Sequence, residues 1–210
     1  MIKVTNASKN ISGKQVLDNI SLDLEDGKTY AFEGENGSGK TMLFRAICGF
    51  IRLDSGSIQI DEVMVDGNHI YNDIGLLLEN PSFIEDLSGF DNLAMIASIR
   101  KIVGGDRINE VLKKVGLYEA KDKAYKTYSL GMKQRLGLAN VILEDPNILI
   151  FDEPTIALDK KGVEALVEII KEEKAKGKTI LLSSHESQIL DYLCDEFYFM
   201  ESGKLTKYNK

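Results

Sequence analysis

The chain is short of basic charge. Lys and Arg number 26 against 33 Asp and Glu, for a formal net charge of −7. A nucleic-acid binder usually carries the opposite balance, so no direct nucleic acid binding is expected. Any phosphate contacts should be local rather than spread over a basic face. Cysteine is scarce too. Cys48 and Cys194 lie far apart and form neither a metal-site spacing nor a disulfide framework. A reducing cytosol is the simplest compartment for them, with Cys48 as a small core residue. Long apolar runs are missing: the longest, Ala46 to Ile51, already contains a glycine, whereas a membrane-spanning helix needs roughly 18–20 such residues. The start, Met1-Ile2-Lys3-Val4-Thr5, reads as a strand rather than a signal peptide. If the protein serves a membrane, another chain must do the spanning. Only three prolines occur, and no Pro- or Ser-rich linker, low-complexity segment or internal repeat is visible. The 210 residues are 43% hydrophobic, enough to bury the core of one large domain.

The order of elements is legible from periodicity and breakers. The first part is β-rich: Ile2 to Thr5, Val16 to Leu24, Thr29 to Glu33 and Ser57 to Val65 alternate or form short apolar runs. Asp26-Gly27, Ser55-Gly56 and Asp66-Gly67 punctuate them as turns. The middle is helical. Ser88 caps a helix to about Arg100, ended by Gly104-Gly105; Asp106 caps a second to about Val115, stopped by Gly116; a third runs from near Ser129 to about Leu143. The last part alternates again, with strands at Asn147 to Phe151, Thr179 to Ser183 and Glu196 to Met200. Helices at Val163 to Lys176 and Ser187 to Leu193 separate them. Such alternation implies a mainly parallel sheet covered by helices.

Gly34-Glu35-Asn36-Gly37-Ser38-Gly39-Lys40-Thr41 fits the phosphate-cradling pattern G-x-x-x-x-G-K-[ST]. Its glycines let successive N–H groups turn toward phosphate oxygens. Asn36, Gly37, Ser38, Gly39, Lys40, Thr41 and Met42 are the expected nucleotide contacts. Lys40 reaches the β- and γ-phosphates, and the Thr41 hydroxyl is a magnesium ligand. The flanking strand Thr29 to Glu33 and helix Met42 to Cys48 supply the required context. An ordinary Gly-rich strand-to-helix turn is the bland alternative; a chance match arises only about once per 30,000 positions.

Ile148-Leu149-Ile150-Phe151-Asp152-Glu153 is an apolar strand ending in two carboxylates. Ligands in open α/β sheets bind at the carboxyl ends of strands, which brings both groups to the nucleotide. Asp152 suits the magnesium shell through water. Glu153 is placed to polarise an attacking water. A solvated acidic turn is the alternative. Tyr128-Ser129-Leu130-Gly131-Met132-Lys133-Gln134-Arg135 reads locally as a capped helix start, which is also an anion site.

The order and spacing of these motifs resemble the nucleotide-binding subunit of an ATP-binding cassette (ABC) transporter, over nearly the whole chain. Ser129-Leu130-Gly131-Met132 is similar to the family's signature, usually Leu-Ser-Gly-Gly-Gln. Here Tyr128 replaces the Leu, Leu130 the first Gly and Met132 the Gln. The Tyr-Ser-Leu-Gly-Met-Lys-Gln-Arg form resembles bacterial drug and antibiotic-peptide exporters. The resemblance implies one α/β domain over residues 1–210: a P-loop NTPase core with a mainly parallel sheet, an N-terminal antiparallel β subdomain and an inserted helical subdomain over about residues 82–143. It implies a MgATP-dependent ATPase, dimerised head to tail with a second copy or a related cassette, and powering a separate transmembrane permease. Such a subunit would be cytoplasmic, peripheral on the inner face of the cell membrane. Each P-loop nucleotide would be closed over by Ser129, Leu130, Gly131 and Met132 of the other subunit. Asp159, in Ala157-Leu158-Asp159, matches the D-loop at that interface, and it also reads as a helix N-cap. His185 matches the switch histidine at the γ-phosphate; His69 has no such context and reads as surface.

Two departures stand out. Where the family usually has a glutamine, this chain has Glu79, expected to be retained as a metal ligand, the alternative being that it only faces the membrane partner. Where an aromatic usually stacks on adenine, the nearest match is Ile11, which has no π face and predicts weak selectivity between ATP and GTP. Exposed Phe83 and Ile84, within Pro81 to Asp91, would suit a coupling helix of the permease; the alternative is that they pack in the helical subdomain. A soluble ABC-type ATPase acting on DNA or ribosomes is the rival, but such relatives carry a coiled-coil insertion or two cassettes, and this chain has neither.

Overall fold

A computed structural model describes residues 1–78, 81–185 and 187–210. In chain order it begins with β1 (Ile2–Ile11), β2 (Lys14–Leu24) and β3 (Thr29–Glu33), followed by helix α1 (Lys40–Ile47). Strands β4 (Ser55–Ile60), β5 (Val63–Val65) and β6 (Ile74–Leu77) lead into α2 (Gly89–Arg100), α3 (Gly105–Lys114) and α4 (Leu130–Ile142). The remainder is β7 (Ile148–Asp152), α5 (Lys160–Ala175), β8 (Thr179–Ser183), α6 (Ser187–Leu193), β9 (Glu196–Glu201) and β10 (Lys204–Tyr208).

Two sheets form. One is antiparallel, in the order β2-β1-β4-β5; the other runs β10-β9-β3-β8-β7-β6 and is parallel except for its β10 edge. The central strands read as continuous apolar runs because both faces are covered. Alternate residues divide between two cores. Tyr30, Phe32, Ile148, Ile150 and Leu181 pack toward the antiparallel sheet and α1. Ala31, Leu149, Phe151, Ile180 and Leu182 pack toward α2 to α5. The period of two thus joins the layers through one sheet. At its carboxyl edge, the register places Ser183 beside both Phe32 and Asp152.

Several boundaries differ from the sequence expectation. Ser57 to Val65 is a hairpin, β4 and β5, broken at Asp61, whose φ of 53° lies in the left-handed region. Helix α2 ends before Gly104-Gly105, because Lys101 adopts φ 58° and its N–H bonds to the Ala97 carbonyl. Gly104 then serves as the N-cap of α3, without a side-chain bond, and Asp106 lies in the first turn rather than at the cap. Two strands carried too little pattern to be read: β6 is four residues long, and β10 is an edge strand with two lysines. Ser88 and Ser129 do cap α2 and α4, accepting from the N–H groups of Asp91 and Met132. Phe83 is half-buried and packs edge-on to Tyr125, with centroids 5.4 Å apart, so of the two expected exposed residues only Ile84 is open.

Candidate functional site

The loop between β3 and α1 turns under tight constraint. Gly34 has φ 146°, and a Cβ there would collide with the Met200 carbonyl. Gly39, the residue before α1, has φ 118° and lies equally close to the Val16 carbonyl. Only glycine fits such positive φ against backbone. Lys40 is 5% exposed; its Nζ donates to the carbonyls of Gly34 at 2.6 Å and Glu35 at 3.2 Å. The buried Ser38 hydroxyl has no hydrogen-bond partner among the described residues. An unpaired hydroxyl and a buried ammonium at the N-terminus of α1 suit a phosphate.

Strand β7 delivers the carboxylates to the same place. Thr41 Oγ1 donates to Asp152 Oδ2 at 2.5 Å, and Ser183 Oγ donates to Asp152 Oδ1 at 2.7 Å. Asp152 is 1% exposed. Two hard oxygens in contact, one a buried carboxylate held by hydroxyls, fit magnesium better than a soft metal. Glu79, the third expected ligand, lies outside the described residues.

Glu153 follows with a left-handed φ of 50°, rare outside glycine. Its side chain is buried, with Oε1 3.8 Å from Lys40 Nζ and 3.3 Å from His185 Nε2. Neither approach has hydrogen-bond geometry, so Oε1 has no hydrogen-bond donor among the described residues. Burial raises the Glu153 carboxyl above the ordinary glutamate range; His185 and Lys40 oppose this shift, and neighbouring Asp152 adds to it. A carboxylate raised toward neutrality and free to accept a proton suits a general base. His185 stands after β8. Its N–H donates to Glu153 Oε2 at 3.2 Å, and its Nε2 pairs with Asn36 Oδ1 at 2.8 Å. Lys40, Thr41, Asp152, Glu153, His185 and Asn36 therefore meet around one region.

A cleft of about 370 Å³ opens on it, lined by Lys14, Val16, the loop from Asn36 to Met42, Asp152 and Glu153. Its lining does not include Ile11, which pairs with Lys14 across the β1–β2 hairpin and is 40% exposed. Lys14 and Val16, which no motif in the sequence marks, line the cleft instead.

The signature segment, Ser129 to Met132, does not line the cleft. Ser129 and Leu130 are exposed, Leu130 to 66% although it opens a helix. Gly131 lies against the backbone of Ala157, where a Cβ would stand 2.8 Å from the carbonyl oxygen, and Met132 packs partly on the core. Asp159 caps α5, its Oδ1 accepting from the Gly162 N–H at 2.9 Å. His69 is exposed and paired with Asp66. Gln134, quoted in the signature but given no role, is buried and donates from Nε2 to the Pro154 carbonyl at 3.2 Å, tying α4 to the turn after Glu153. Ser183 was also passed over. Its only sequence signal is a polar residue closing an apolar strand two positions before His185.

A family model described as "ABC transporter" matches residues 17–156. An uncharacterized ABC transporter ATP-binding protein, YybJ of Bacillus subtilis (strain 168), is 41% identical over 98% of this chain and 94% of its own length. The lantibiotic transport ATP-binding protein SrtF of Streptococcus pyogenes is 36% identical, over 98% and 89%. The bacitracin transport ATP-binding protein BcrA of Bacillus licheniformis is also 36% identical, over 98% and 68%. Among solved structures, an ATP-binding subunit of an ABC transporter superposes with a TM-score of 0.90 at 25% identity, covering 100% of this chain and 90% of that one. A dimeric ATP-binding cassette bound to ADP and Pi, MJ0796, gives 0.88 at 22% identity over the whole of both chains.

Proposed function

The chain belongs to the ABC transporter family as an ATP-binding, ATP-hydrolysing subunit, and on that premise we propose that it works as one half of a head-to-tail dimer driving export through a separate membrane-spanning partner. The observation that carries the reading is the meeting of Lys40, Thr41, Asp152 and Glu153 at one cleft, with His185 against Glu153.

Each group has a task that its surroundings support. Lys40 and the amides of Asn36 to Met42 hold the phosphates and offset their charge. Magnesium, when bound, neutralises charge developing on the transferred phosphoryl group, and Thr41, Asp152 and Glu79 would hold it. Glu153, raised by burial, takes a proton from the attacking water. His185, placed between Glu153 and Asn36, reaches toward the γ-phosphate.

A second copy, or a close relative, supplies Ser129, Leu130, Gly131 and Met132 over the bound nucleotide, with Asp159 at the same seam. The 66% exposure of Leu130 at a helix start supports this, because an apolar side chain so placed gains from burial against a partner. ATP then favours the closed dimer and hydrolysis releases it. Among the described residues no helix is long and apolar enough to cross a membrane. A groove of about 250 Å³ beside Leu76, Pro81, Phe83 and Gly137 has room for one or two side chains of a permease helix. Export is supported by the Tyr128-Ser129-Leu130-Gly131 form and by relatives named for lantibiotic and bacitracin transport. The test is Glu153→Gln: nucleotide binding should persist while turnover falls at least a hundredfold. Unchanged hydrolysis would sink the mechanism.

A further inference from the structure

Ser183 closes β8 with its side chain wholly buried. Its one hydroxyl is engaged twice. The oxygen accepts from the Glu153 N–H at 2.9 Å, and the proton goes to Asp152 Oδ1 at 2.7 Å. The parallel register makes Ser183 the cross-strand neighbour of Asp152, so both bonds run straight across the β7–β8 seam.

These bonds fix two things at once. Asp152 has two oxygens; Ser183 takes Oδ1, which leaves Oδ2 turned to Thr41. Glu153 leaves the strand with φ 50°, and the bond to Ser183 anchors its N–H at the start of that turn. A strained backbone persists only where its surroundings over-determine it. The next turn begins with the Ile156 N–H bonded to the Glu153 carbonyl, so the residue is held on both sides.

We propose that Ser183 is a positioning residue for hydrolysis: it orients the Asp152 carboxylate toward the magnesium position and sets the Glu153 backbone so that its carboxylate faces the cleft. The proposal rests on the reading of Asp152 and Glu153 given above. Groups that orient a metal ligand or a base are typically worth about 10–100-fold in metal affinity or activity.

The test uses the full chain with Ser183→Ala and Ser183→Thr, the latter keeping the hydroxyl. Binding of a fluorescent ATP analogue is titrated in EDTA and again across a magnesium series, alongside kcat, KM and Tm. Ser183→Ala should bind metal-free nucleotide within twofold of the parent. It should need about tenfold more magnesium to reach half-maximal binding and lose about tenfold in kcat, with Ser183→Thr restoring both. A merely structural serine would lower Tm while leaving the magnesium midpoint and kcat within twofold, and that result would overturn the proposal. Should Ser183→Ala not fold, Ser183→Cys, whose thiol is a weak donor, is read against the same two outcomes. Failure here is distinct from failure of the underlying site, which Glu153→Gln reports.

Discussion

Glu153 is where the chemistry and the stability of this fold pull in opposite directions. Its carboxylate is buried, has a non-glycine left-handed backbone, and sits beside a second carboxylate. Burial, with the charge of Asp152, outweighs the pull of His185 and Lys40 and leaves the folded-state pKa above the unfolded one. The folded state therefore holds the proton to higher pH than the unfolded state does. Stability is largest below the ordinary glutamate range and falls as pH rises toward the folded pKa. Replacing the group with a neutral isostere removes that dependence. Glu153→Gln should melt above the parent at pH 8, and the gap should close near pH 4. A variant melting below the parent at pH 8 would contradict this. Lys40, Thr41, Asp152 and Glu153 could be located from sequence because a motif or the end of an apolar strand marks each. Ser183 and Gln134 could not, since their partners, Asp152 and the Pro154 carbonyl, become neighbours only through strand register and helix docking.

Elements with a strong local pattern were legible and those defined by their neighbours were not. Strand β3 and helix α6 match their expected bounds, β3 because Gly27 and Gly34 punctuate the chain on either side of it. Strand β6 exists by pairing with β7, and β10 by pairing with β9. Helix α2 stops at Lys101, where a left-handed residue does what a glycine was expected to do three residues later. Helix α5 shows how such joints are held. Glu173, near its C-terminus, is 1% exposed and pairs with Lys176 at 2.8 Å and with the buried Lys178, at the approach to β8, at 2.5 Å. Burial alone would raise Glu173, but the two lysines outweigh it and hold its carboxyl below the ordinary range. Its stabilising contribution is present above the unfolded pKa and is lost as pH falls through the folded one. Breaking such a buried pair typically costs about 3–5 kcal/mol. Because Lys178 keeps Asp145 at 2.5 Å, that amount is an upper limit: Glu173→Gln should lower stability by less than it at pH 7, measured by urea unfolding, and by clearly less again near pH 3. An equal loss at both pH values would contradict the assignment.

For the whole molecule, the phosphate end and the signature are both present, yet no hydrogen bond joins Ser129 to the loop at 34–41 among the described residues. Gly131 instead packs on the Ala157 backbone of its own chain, and Ser129 and Leu130 before it are exposed. The two-sheet scaffold fixes these faces through one continuous core-bearing sheet, so closure around nucleotide is expected as a rigid approach of two chains. The most direct test of that claim is sedimentation velocity of Glu153→Gln with and without saturating MgATP. A monomer is expected without nucleotide and a species of twice the chain mass with it. A nucleotide-loaded chain that remains monomeric would contradict it.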